Sequence, residues 1–85
     1  DVRQPWEHEL VALPESQLIP LGELPQRLDE IQPEPGLPVV VYCHHGIRSL
    51  SGAALLQTAG FPEVYSLAGG IDAWSLLIDP RLPRY

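Results

Sequence analysis

The chain contains no lysine, a single cysteine and no long hydrophobic run. With one cysteine there is no internal disulfide framework, and a lone free thiol fits a reducing compartment, here the cytoplasm. No apolar segment approaches the roughly 20 residues that span a bilayer. The first residues lack the basic-then-apolar order of a secretory signal, so no membrane role is expected. All five basic groups are arginines (Arg3, Arg27, Arg48, Arg81 and Arg84), scattered among eleven acidic residues for a formal charge of −6. Such a field repels polyanions, which argues against nucleic acid as a partner. What remains is 85 residues, 45% of them hydrophobic. That suits one small domain over residues 1–85 with a modest core.

The chemistry concentrates in Val39-Val40-Val41-Tyr42-Cys43-His44-His45-Gly46-Ile47-Arg48-Ser49. A β-branched run predicts a buried strand that delivers Cys43 to its carboxyl end. Beyond the loop, Leu50, Ala53, Ala54 and Leu56 have helical spacing. Loop N–H groups beside a helix N-terminus collect partial positive charge, so a thiolate is favoured there, with Arg48 as a nearby cation. This pattern points to a nucleophile. The other reading of a lone cysteine is a buried thiol acting as a small hydrophobe.

Around this centre the pattern alternates. Asp1-Val2-Arg3 reads as the end of a strand whose beginning is missing, and Pro5 suits the first turn of a short helix over Trp6–Leu10. Trp6 is expected to pack, and His8, between Glu7 and Glu9, to lie on a solvated surface. A short strand is predicted at Gln17–Ile19. The spacing of Leu21, Leu24, Leu28 and Ile31 predicts a small amphipathic helix with Pro25 in its first turn. Gln32–Pro38 is a stiff loop with three prolines. The helix after the cysteine loop should end near Ala59 with Gly60 as its cap. A strand at Val64–Leu67, a helix over Ile71–Leu77 and a Pro-interrupted tail from Asp79 complete the chain. Strands alternating with helices imply an α/β fold, a small, mostly parallel sheet with helices on both faces, whose ligands meet the strands' carboxyl ends.

With these pieces in order, the chain resembles the rhodanese homology domain. The matching stretches are Asp1-Val2-Arg3, Val41-Tyr42-Cys43-His44-His45-Gly46-Ile47-Arg48-Ser49, Ala59-Gly60-Phe61 with Val64-Tyr65, and Leu67-Ala68-Gly69-Gly70-Ile71-Asp72-Ala73-Trp74. The resemblance implies a thiosulfate sulfurtransferase. Cys43 takes a sulfane sulfur from a small-molecule donor and passes it, as a persulfide, to cyanide, a thiol or a protein acceptor. It implies that His44, His45, Gly46, Ile47, Arg48 and Ser49 form the active loop, with His44 and His45 at the pocket mouth favouring thiosulfate. It further implies structural roles for Gly69, Gly70 and Trp74, and a supporting polar pair of Asp1 and Arg3. No cofactor or metal is called for, since adjacent residues on a tight loop converge poorly on a tetrahedral zinc.

Two rivals stand beside this reading. Cysteine-dependent phosphatases share the strand, loop and helix, but their pattern has one more residue between cysteine and arginine than the four here (His44, His45, Gly46 and Ile47). The smaller cradle suits a single sulfur. Asp72 and Asp79 are candidates for a phosphatase general acid by residue type alone. The other rival is a non-catalytic rhodanese-like interaction module of a larger protein, against which Cys43 itself argues.

Overall fold

A computed structural model describes all residues from Asp1 to Tyr85. Three β-branched valines form β1 (Val39–Val41), which pairs in parallel with β2 (Val64–Ser66) in the register Val39↔Val64, Val40↔Tyr65 and Val41↔Ser66. Parallel neighbours need a crossover, and α2 (Arg48–Thr58) supplies it. Gly52 lets this helix lie close to the sheet: a Cβ there would sit 3.1 Å from Val41 Cγ1 and 3.3 Å from Val2 Cγ1. Past its end, Gly60 takes a left-handed φ of 100°, and its N–H is bonded to the Gln57 carbonyl.

Side chains alternate along a strand, so β1 and its extension feed two clusters. Val41 and Cys43 join Val2, Ile19, Leu24, Ala53, Leu56 and Val64 in the larger one, whereas Tyr42 joins Val11 and Ile71 in the smaller. Helix α2 packs on the larger cluster. Helix α3 (Gly70–Leu77) and the C-terminal tail pack on the smaller through Ile71, Leu82 and Tyr85. Helices therefore lie on both sides of a small parallel sheet, the expected α/β arrangement.

Several local expectations are corrected. Residues 21–31 are not one amphipathic helix but two 3₁₀ segments, Leu21–Gln26 and Leu28–Glu30, separated at Arg27 with φ −122°. Pro25 lies inside the first and not at an α-helical start; in an α-helix its ring would collide with the carbonyl four residues back, a clash the tighter winding avoids. Gln17–Ile19 and Asp1–Arg3 form no regular strand. They nevertheless pair, with Ile19 N–H donating to the Asp1 carbonyl, Leu21 N–H to that of Val2 and Val2 N–H to that of Tyr42. Trp6 is not a core residue: it is 61% exposed and meets Tyr85 edge to face, with centroids 5.9 Å apart. His8 is not free on the surface, since its Nδ1 lies 2.6 Å from Asp1 Oδ2. No helix is long and apolar enough to cross a membrane.

Candidate active site

The chain leaves β1 through Tyr42 and turns into α2 over Cys43–Ile47, and the turn wraps around the thiol. Cys43 is 1% exposed. Its Sγ accepts the Gly46 N–H at 3.1 Å and the Ser49 N–H at 3.3 Å, and lies 3.5 Å from Ser49 Oγ. Gly46 can aim its N–H inward because its φ is 96°, a left-handed value; a Cβ there would also press within 3.0 Å of Gly69 N. The loop is braced from behind by α3, whose first N–H groups find partners in the loop. Ile71 N–H donates to the Cys43 carbonyl and Asp72 N–H to that of His44, at 2.9 and 3.1 Å. Gly70 has no side chain because one would collide with these same two residues' backbone.

The electrostatics of the thiol are set by opposed effects. Burial pushes the Cys43 thiol up, but the Ser49 hydroxyl and the N–H groups of Ser49, Gly46 and His45 outweigh it and leave the thiol below its ordinary value. A negative charge on Sγ is thus stabilised chiefly by neutral dipoles.

Arg48, expected as a nearby positive charge, is paired with a carboxylate. Its guanidinium bonds both carboxylate oxygens of Glu7, at 2.6 and 2.9 Å. Glu7 comes from α1 (Pro5–Leu10) and is buried at 3% exposure, not solvated. It also accepts the Tyr85 hydroxyl at 2.6 Å. The Arg48 hydrogen bonds, helped by that hydroxyl against the cost of burial, hold the Glu7 carboxyl down to about 2. Arg3 joins the network by donating to Tyr85 Oη at 2.8 Å and to both oxygens of Asp1, so Asp1 and Arg3 form the expected polar pair, fully buried.

His44 and His45 do not simply project into solvent. Their rings stack on each other with centroids 3.8 Å apart, and the other face of His44 stacks on Tyr85 at 3.8 Å and 7°. Burial, then the His45 charge, keep His44 below its ordinary pKa, so protonating it takes a more acidic solution. His44, His45 and Asp72 offer ligand atoms within 4.8 Å of one another. The Asp72 carboxylate, however, is already held by Arg84 at 2.8 Å. As they stand, these groups do not make a tetrahedral cage.

Three residues of this site escaped the sequence reading. Glu7 is one of eleven acids, and nothing in its neighbours selects it as the partner of Arg48. Tyr85 sits in a tail whose path back to the loop has no local signal. Ser66, whose hydroxyl is 2.7 Å from Ser49 Oγ, could have been suspected: it ends the strand that runs beside the cysteine strand.

Fold and site together define a small α/β protein built around a cradled cysteine. A family model described as the rhodanese-like domain matches residues 1–77, and the chain belongs to that family. It is 36% identical over 75 residues to a protein named sulfurtransferase from Allochromatium vinosum, covering 88% of this chain and 68% of that one. It is 60% identical over 37 residues to the thiosulfate sulfurtransferase GlpE of Coxiella burnetii, covering 44% of this chain and 35% of that one. A crystal structure of a rhodanese-related protein from Thermoplasma volcanium superposes with a TM-score of 0.77 at 29% identity, covering 96% of this chain and 76% of that one. Of other curated relatives, matched at 34–39% identity, the chain spans only 22–57% of the length. At the level of the family, relatives that carry sulfurtransferase names support sulfur transfer.

Proposed function

We propose that the protein is a thiosulfate sulfurtransferase in which Cys43 carries the sulfur. The observation that bears most weight is the ring of polar groups on one atom: the Gly46 and Ser49 N–H groups, which donate to Cys43 Sγ, and the Ser49 hydroxyl all lie within 3.5 Å of it. These groups favour an anionic sulfur, and the loop's four residues between Cys43 and Arg48 suit a cradle for one sulfur better than one for a tetrahedral phosphate, which favours sulfur transfer over phosphate hydrolysis. The thiolate attacks the outer sulfur of thiosulfate; a new S–S bond forms, the old one breaks, and sulfite leaves with its electron pair. Cyanide or a thiolate then attacks the outer sulfur of the persulfide, and the Cys43 thiolate is released. The same N–H groups favour the anion in both states, so the enzyme reorganises little between half-reactions.

The name of the Coxiella relative supports thiosulfate as donor, as do two imidazoles, His44 and His45, on the loop. A protein acceptor and a reducing compartment such as the cytoplasm accord with a thiol that must cycle. No charged surface for nucleic acid is part of this reading. The test is mass spectrometry of the intact protein. Thiosulfate should add one sulfur atom, cyanide should remove it, and Cys43→Ser should load none while keeping its melting temperature. A chain that stays unmodified with thiosulfate but hydrolyses an aryl phosphate overturns the reading.

A further inference from the structure

Cys43 is almost fully buried, and no ionisable side chain is bonded to its sulfur. Arg48 of α2 is paired with Glu7 of α1, Asp72 of α3 with Arg84 of the tail, and His44 is stacked on Tyr85. His45 is the remaining ionisable side chain on the loop; it is exposed, and its Nε2 lies 3.8 Å from the Asp72 carboxylate. With no ionisable side chain bonded to the sulfur, its proton can leave by a route through hydroxyl groups. Alternation along the strands supplies one. Val41 and Cys43 face α2, and Ser66 is in register with Val41, so its side chain faces α2 as well. There the Ser66 hydroxyl lies 2.7 Å from Ser49 Oγ, which lies 3.5 Å from Cys43 Sγ. Ser49 is wholly buried, whereas Ser66 is partly exposed.

We propose that Ser66 is a positioning residue for the reactive thiol, the outer member of a two-hydroxyl relay from Cys43 through Ser49 to solvent. The inference rests on the reading of Cys43 as the reactive group. In the thiol form the S–H donates to Ser49 Oγ, the Ser49 hydroxyl to Ser66 Oγ, and the Ser66 hydroxyl outward. One concerted shift moves the sulfur's proton to Ser49, that of Ser49 to Ser66 and that of Ser66 to a water or buffer base. No proton is created or lost. After the shift both hydroxyls point inward, Ser66 to Ser49 and Ser49 to the thiolate, so the relay that removes the proton also stabilises the charge left behind. Without Ser66, Ser49 loses the donor that leaves its own proton free for sulfur.

The pH dependence of alkylation by iodoacetamide, an uncharged probe that needs no sulfur donor, tests this in the intact protein. Ser66→Thr keeps the hydroxyl and adds a methyl group, and Ser66→Val has the shape of that threonine with a second methyl in place of the hydroxyl. Ser66→Val should move the alkylation midpoint up by about 0.5 to 1 pH unit, roughly 3- to 10-fold slower reaction below the midpoint. Ser66→Thr should restore the wild-type profile. Superimposable profiles for the Thr and Val variants, both folded by circular dichroism, overturn the relay; if Val unfolds the chain, Ser66→Ala takes its place in that comparison. Thiosulfate loading measured alongside separates the two claims. A shifted profile without loading keeps the relay and loses the sulfurtransferase, and loading with unshifted profiles does the reverse.

Discussion

The two halves of the site hold their groups by different means. Around Cys43 Sγ the partners are neutral, namely the N–H groups of Gly46 and Ser49 and a serine hydroxyl. One layer away Glu7, Arg48, Arg3 and Asp1 carry full charges that cancel in close pairs. Fixed dipoles in a low-dielectric loop favour a thiolate without binding it so tightly that it stops reacting. Paired charges join distant parts of the chain. Glu7 and Arg48 are 41 residues apart, and Glu7 and Tyr85 are 78. The neutral half surrounds the thiol, and the charged half joins distant segments beside it.

Glu7→Gln should break this division most visibly. It removes the buried partner of Arg48 and is expected to cost on the order of 3 kcal/mol of stability, read from urea denaturation. The freed Arg48 charge should also make Cys43 alkylate faster at neutral pH, because a cation nearby favours the thiolate. Slower alkylation would show that the pair positions the loop and does not merely screen it.

Acid should sharpen the comparison next. The Glu7 carboxyl is held near 2 against an ordinary 4.5. A depressed pKa contributes stability that is full well above the ordinary value and is lost as pH falls toward the folded one. Between neutral pH and pH 3 the wild type should lose about 2 kcal/mol that Glu7→Gln does not lose. Parallel pH–stability curves would remove Glu7 from the account. The smallest effect is expected from Tyr85→Phe, which keeps the stack on His44 but takes one hydrogen bond from Glu7 and from Arg3. A loss of about 1 kcal/mol with an unchanged alkylation profile fits the charged half as a clasp. A shifted profile would mean that the two halves are coupled.

Local residues carried their own messages well. Val39–Val41, Gly60 and the spacing of Leu50, Ala53 and Leu56 foretold a strand, a helix end and a helix because each depends on neighbours within a few positions. Prolines misled where their position was ambiguous. Pro25 is compatible with a helix start in the one-dimensional pattern, but it stands inside the 3₁₀ segment Leu21–Gln26, whose Leu24 packs into the larger cluster. The strand expected at Gln17–Ile19 failed for a related reason: it pairs with Asp1 and Val2 by isolated hydrogen bonds, too few for a ladder.

The sequence by itself determined the α/β class, the cysteine at a strand's end and the Cys43–Ser49 loop, because a loop that must surround one atom is built from contiguous residues. Tertiary structure decided which charges cancel, where Tyr85 ends and which hydroxyl stands behind Ser49. Arg48 could have met any of eleven acids, and Ser66 comes within 2.7 Å of Ser49 only because a parallel crossover sets β2 beside β1. Such choices belong to packing, which brings together groups whose separation along the chain carries no local pattern.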